Sequence, residues 1–92
     1  MTYPVEYAQS IYETQVKPLP AEARAELDAH VKRLESDPFP GKWVFRLRVS
    51  GALRQAGSQP IFAARSRRFI VFHTVLDNRV VILGVLSAEV RR

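Results

Sequence analysis

The segment "RFIVFHTVLDNRVVILGVLS", residues 68–87, decides how this chain folds. Two runs rich in β-branched and aromatic residues flank the dipeptide Asp77-Asn78, and these two residue types readily form the tight turn of a β-hairpin. Both runs are apolar at nearly every position, which is typical of strands covered on both faces. The segment therefore predicts an antiparallel hairpin made of two central strands.

The residues just before this hairpin predict further strands. In "KWVFRLRVSG", residues 42–51, an apolar face alternates with a face that carries Val44, Arg46 and Arg48. We expect the apolar face to be buried through Trp43 or its in-phase neighbours Phe45 and Leu47. The segment "IFAARS", residues 61–66, is either a short strand or the start of the next one.

The first 41 residues predict one strand and two helices. "TYPVEY", residues 2–7, alternates as a short strand. "AQSIYETQVKPL", residues 8–19, places apolar residues on one helical stripe, and "PAEARAELDAHVKRLESDP", residues 20–38, does so more clearly. The order β-α-α-β-β-β predicts an α+β fold, with two helices packed on one face of a four-stranded, largely antiparallel sheet. The expected core residues are Leu27, Val31, Leu34, Val71, Val81 and Leu83.

Length, charge and cysteine content limit the possible functions. The 92 residues suit a single domain, 1–92, and contain no cysteine, so a disulfide scaffold and a thiol nucleophile are excluded. No signal peptide or membrane-spanning run is evident, and we expect a cytoplasmic protein. Residues 1–41 carry four Lys and Arg against seven Asp and Glu, whereas residues 42–92 carry ten against two. This asymmetry favours a basic surface that meets a polyanion.

Few residues can carry acid–base or metal chemistry. His30 and His73 are the two histidines, and neither has a second ligand at metal-binding spacing, so we expect no metal and no cofactor. His30 flanks the apolar stripe of its helix, one residue before Val31. His73 is in phase with Phe69 and Val71 and is either a core residue or a proton carrier facing a site.

Arginines are the main candidates for a functional site. Arg46 and Arg48 share one face of their strand, and Arg65 and Arg67 share another. Guanidinium groups bind phosphate through two parallel hydrogen bonds and keep their charge at physiological pH. A strand face of this kind suits a nucleic-acid backbone, although a solvated edge that resists aggregation has the same pattern.

The whole layout resembles the RelE/ParE superfamily of toxins. The stretch "LPAEARAELDAHVKRLESDP", residues 19–38, is similar to the family's "LP-x-E-A-R" turn and its second helix ending in "L-x-x-D-P". Residues 68–87 resemble the family's closing hairpin, apolar strands around an acidic turn. The resemblance implies a cytosolic bacterial toxin of a type II toxin–antitoxin pair, with an acidic antitoxin as its partner and a heterotetramer as a possible assembly.

RelE-like members cleave mRNA on the ribosome without a metal, because the RNA's own 2′-hydroxyl attacks. For this activity the resemblance implies, in one register, the catalytic residues Arg46, Arg48 and Arg54, with His73 as the candidate proton carrier. A second register places the site at Arg65, Arg67 and Arg68. The nucleic-acid-binding residues are then Lys42, Arg65, Arg67, Arg68 and Arg91.

Two alternatives remain open within the same superfamily. ParE-like members share the fold, lack that site and inhibit DNA gyrase. Phe69 and Phe72 stand where many RelE-like relatives have arginine and tyrosine, and the chain has no late tyrosine. These departures favour a gyrase inhibitor or a catalytically degenerate binding module.

Overall fold

The computed structural model describes residues 2–47 and 60–87. Within them the chain forms five strands and two helices. The elements are, in chain order, β1 (Val5–Tyr7), a short π-helix (Tyr12–Val16), α1 (Ala21–Ser36), β2 (Val44–Arg46), β3 (Phe62–Arg65), β4 (Phe69–Leu76) and β5 (Arg79–Ser87).

The closing hairpin is confirmed. Strands β4 and β5 pair antiparallel from Phe69 opposite Ser87 to Leu76 opposite Arg79. Asp77 has φ 53° and Asn78 has φ 62°, the left-handed conformation that a two-residue type I′ turn requires. The turn residues therefore fix the register from which the rest of the sheet is built.

The sheet has five strands, in the order β1-β5-β4-β3-β2, so the expected number of four is wrong. The additional strand is β3, from the "IFAARS" segment. Strand β1 pairs parallel with β5, and the other three pairings are antiparallel. Both hairpin strands are interior to the sheet, as their apolar sequences predict.

The long helix α1 packs on one face of this sheet. Leu27, Leu34 and Val71 are fully buried, as expected, and Val31 is half-buried. The π-helix contributes buried Val16, and the Gln15 side chain accepts a 2.6 Å hydrogen bond from the Val85 N–H. No helix among the described residues has the length and apolar character needed to cross a membrane.

The prediction of which β5 residues are buried is wrong, because the structure buries the alternate residues. Leu83 is 36% exposed and Val81 is half-buried, whereas Val80 and Ile82 are fully buried. The cause is an irregularity in the ladder: His73 lies opposite Ile82, and Phe72 opposite Gly84, so Leu83 is an extra residue on its strand. A β-bulge of this kind breaks the alternation on which the sequence prediction depends.

The predicted burial of β2 is also wrong in phase. Val44 is 1% exposed and Phe45 is 45% exposed, while Trp43 and Leu47 are half-buried. Val44 lies opposite Ala64. Ala64 in turn lies opposite Val71. This pairing, and not the stronger hydrophobicity of Phe45, decides which residue faces the core.

Candidate functional site

A groove separates α1 from the turn that joins β3 to β4. Its volume is about 550 Å³, within the range of ligand clefts. We call it the basic groove, and its principal lining residues are Glu26, His30, Arg33, Trp43, Arg65 and Arg67. It therefore combines residues from the helix, the start of β2 and the β3–β4 turn.

The β3–β4 turn presents Arg67 and Arg68 at its tip. The Ser66 N–H donates to the Phe69 carbonyl oxygen at 2.8 Å. The Phe69 N–H donates back to Ser66 Oγ at 3.2 Å. This reciprocal closure fixes the backbone between the two residues. The two arginines of the turn have different contacts. Arg67 lines the groove, and Arg68 forms an ion pair with Glu26.

Trp43 holds Arg33 on the helix side of the groove. The Arg33 guanidinium carbon lies 4.2 Å from the centre of the Trp43 ring, a cation–π contact. The Trp43 Nε1–H donates to Asp37 Oδ2 at 3.1 Å, so the indole is itself held in place. The Arg33 guanidinium is thus held beside the indole.

The arginines of the groove are free of carboxylate partners within the described residues. The ion pairs there are Arg68–Glu26 at 3.6 Å, Arg79–Glu6 at 3.5 Å and Lys17–Glu13 at 3.4 Å. Arg33, Arg65 and Arg67 are exposed and take part in none of them. Since Arg68 balances Glu26, the groove keeps a net positive charge.

His30 lies against the groove with both ring nitrogens unsatisfied. The residue is 5% exposed, its ring centre is 4.9 Å from that of Trp43, and neither nitrogen finds a hydrogen-bond partner in the described part of the chain. Burial, followed by the proximity of His73, lowers the pKa of His30 from 6.5 to about 4. The Ala64 backbone, which lies near the ring without meeting hydrogen-bond geometry, opposes this shift. The imidazole is therefore neutral at pH 7, with one donor and one acceptor nitrogen.

His73 occupies a different environment. Its side chain is 0% exposed, and Nε2 donates to the Pro38 carbonyl oxygen at 2.8 Å. Burial lowers its pKa, and the Pro38 carbonyl opposes that shift. Of the two roles open for His73, this position favours the core residue. Its assignment as a proton carrier stays a prediction.

The remaining predicted site residues do not all come together. Arg46 is exposed on β2 opposite Phe62, at the other end of β3 from Arg65, and Lys42 is exposed before β2. Arg48, Arg54 and Arg91 lie outside the described residues. Arg65 and Arg67 of the second register line the basic groove together with Arg33, whereas Arg68 pairs with Glu26. The choice between the two registers stays a prediction.

Sequence reasoning missed Arg33 as a site residue. A basic residue in the last turn of a helix is already explained by its favourable interaction with the helix dipole, so Arg33 did not stand out. No local sequence pattern predicts its contact with Trp43. The described residues contain no group of three or more His, Cys, Asp or Glu side chains that is able to hold a metal ion.

Comparison with known proteins relates this chain to others by its structure. No protein-family model matches the sequence, and no curated protein matches it. A chain in the crystal structure of the archaeal RelE–RelB complex from Pyrococcus horikoshii OT3 superposes with a TM-score of 0.70 and 22% sequence identity, covering 99% of this chain and 100% of that chain.

The chain has a RelE-like fold. The similarity extends over nearly the whole length of both chains and includes the described strands and helices.

Proposed function

We propose that this protein is the toxin of a type II toxin–antitoxin pair and that it acts on RNA. The RelE-like fold supports the first part, because its structural counterpart comes from a complex of RelE with RelB. The uncompensated arginines of the basic groove support the second part. Arginine clusters at fixed positions are suited to phosphate backbones.

The proposed activity is metal-independent cleavage of mRNA on the ribosome, which inhibits translation. In this reaction the substrate's 2′-hydroxyl loses its proton and attacks the adjacent phosphorus, the P–O5′ bond breaks, and the 5′-oxygen of the next nucleotide leaves with a proton, which gives a 2′,3′-cyclic phosphate. The protein's task is to position the RNA and to stabilise the charge that develops. Arg46, Arg48 and Arg54 are the proposed residues for charge stabilisation. The basic groove, at the other end of β3, is available to hold neighbouring nucleotides.

A second function is supported by the burial of His73. A non-catalytic toxin, such as a gyrase inhibitor, needs no proton carrier beside its arginines. His73 has no exposed surface, and its ring donates a hydrogen bond to the Pro38 carbonyl oxygen. If His73 cannot act as an acid or base, no other predicted site residue is available to transfer a proton. The arginines then have a binding role alone.

The proposed protein partner is an acidic antitoxin. Residues 42–92 carry ten Lys and Arg against two Asp and Glu, so a partly disordered acidic segment gains both rate and specificity on binding. A heterotetramer of two toxins and two antitoxins is the assembly we propose.

Expression without the antitoxin, with mRNA ends mapped, separates the two functions. We expect growth arrest and new 5′ ends inside translated codons. Replacing Arg46 or Arg48 with Ala should lower cleavage by about 10²–10³-fold, the scale for one preorganised donor to a developing charge. The control is Lys32→Ala, which removes the same charge at an exposed position of α1. Arrest with intact mRNA and a DNA-damage response would instead support gyrase inhibition.

A further inference from the structure

The basic groove contains two features that the protein's own folding does not explain. One is the set of exposed arginines without carboxylate partners in the described residues. The other is His30, a polar side chain that is 5% exposed and has both nitrogens unpaired there. Buried polar groups normally have hydrogen-bond partners. The His30 ring lines the groove, so its nitrogens become a donor and an acceptor for a ligand when the ring turns towards the opening.

We propose that the basic groove binds one nucleotide of a single-stranded RNA, with its phosphate on Arg33 and Arg67 and a polar group of its ribose or base on His30. This inference rests on the proposed action on RNA and adds to it a specific site, away from the arginine face of β2. The phosphate requires the planar, permanently charged donors that Arg33 and Arg67 provide.

The stack of Arg33 on Trp43 favours RNA over an acidic peptide. The Arg33 guanidinium carbon lies 4.2 Å from the centre of the Trp43 ring, and this cation–π contact holds the group in the groove. Guanidinium planes are platforms for unpaired bases, which a peptide carboxylate cannot use. A neutral imidazole also suits a hydroxyl or a base edge, because it offers a donor and an acceptor together.

The charge of the groove agrees with a phosphate ligand. Glu26 is the acidic residue of the groove wall, and its carboxylate is 3.6 Å from Arg68 Nε. The Arg68 ion pair removes that carboxylate as a competitor for the other arginines. Arg68 thus neutralises Glu26, whereas Arg67 has no such ion pair among the described residues and can bind the ligand's phosphate.

The test uses the full-length protein and a fluorescently labelled single-stranded RNA of about ten nucleotides, followed by anisotropy at several salt concentrations. Arg33→Ala and Arg67→Ala should each weaken binding about tenfold or more, since hydrogen bonds to charged groups are the strong ones. Each should also reduce the slope of log affinity against log salt by about 0.7, the value for one lost single-strand phosphate contact. Lys32→Ala removes the same charge one residue from Arg33, and it should change neither the affinity nor the salt slope.

Three further arms identify the ligand. Arg33→Lys keeps the charge and loses the planar stack, so it should bind RNA more weakly than the wild type. His30→Phe keeps a ring against Trp43 and removes both nitrogens, so it should reduce the preference for RNA over DNA of the same sequence. Trp43 is the chain's single tryptophan, and its fluorescence should respond to RNA far below the concentration at which inorganic phosphate acts.

The proposal is overturned if Arg33→Ala and Arg67→Ala bind RNA no more weakly than Lys32→Ala. It is overturned equally if DNA binds as tightly as RNA, or if polyglutamate displaces RNA and shows the same dependence on Arg33 and Arg67. Mapping of mRNA ends distinguishes this failure from failure of the proposed function. Cleavage that persists with a groove unable to bind RNA rejects the site alone, whereas groove-dependent RNA binding without cleavage rejects the ribonuclease alone.

Discussion

The two faces of the sheet have similar sequences and different surroundings. On the face covered by α1, Val71 and Ile82 have no exposed surface. On the other face, Phe45 is 45% exposed and Leu86 is 53% exposed. Valine and phenylalanine occur on both, so burial here depends on the layer that covers a face and not on the hydrophobicity of its residues. Predictions about stability can therefore be made in matched pairs across the sheet.

The largest effect is expected for Leu27→Ala on the covered side. Leu27 is 0% exposed in the interface between α1 and the sheet, so truncation leaves a cavity. The free energy of unfolding should fall by about 2–5 kcal/mol. Leu86→Ala removes the same atoms from the opposite face. Urea denaturation of both variants measures the contrast, and equal losses would contradict the assignment of the two faces.

A smaller effect is expected for His73→Ala. The substitution removes the 2.8 Å hydrogen bond to the Pro38 carbonyl and leaves both a cavity and an unpaired acceptor. The loss in unfolding free energy should be about 2–4 kcal/mol. His30→Ala breaks no hydrogen bond among the described residues and should cost less. Chemical denaturation decides the order, and the reverse order would show that the His73 contact is not structural.

The covered face should also make stability depend on pH. Burial lowers the pKa of His30 to about 4, while in the unfolded chain it stays near 6.5. Between these values the unfolded state binds a proton more readily, so the stabilising contribution is complete above pH 6.5 and is lost as the pH falls towards 4. His73, whose pKa is also lowered, acts in the same direction.

Thermal unfolding from about pH 7 to about pH 4.5 measures this dependence. The wild type should lose stability as the pH decreases, and His30→Phe should lose less. Arg33 and His73 stay in place in that variant, so the difference belongs to His30. Parallel curves for the two proteins would mean that His30 does not contribute.

The smallest effect is expected at the bulge. Leu83 is 36% exposed because it is the additional residue of β5. Leu83→Ala should therefore lower the unfolding free energy by less than about 1 kcal/mol, below the range for a buried leucine. Ile82→Ala, one residue earlier and fully buried, is the matched comparison in the same denaturation experiment. A Leu83 loss as large as that of Ile82 would place Leu83 in the core after all.

The sequence alone determined the elements whose signals are local. The Asp77-Asn78 turn fixes a hairpin because both residues tolerate positive φ, and α1 follows from the helical spacing of Leu27, Val31 and Leu34. The basic second half of the chain likewise predicts a cationic surface. For the hairpin turn and for α1, the residues that carry the signal are neighbours along the chain or one turn apart.

The tertiary structure decided what depends on partners distant in sequence. The bulge at Leu83 and the core position of Val44 follow from cross-strand pairing, which no single strand encodes. The roles of the arginines depend on their neighbours: Arg68 has Glu26, and Arg33 has Trp43. The same holds for the histidines, because burial and the Pro38 carbonyl set the state of His73, whereas His30 is left beside the groove without a partner in the described chain.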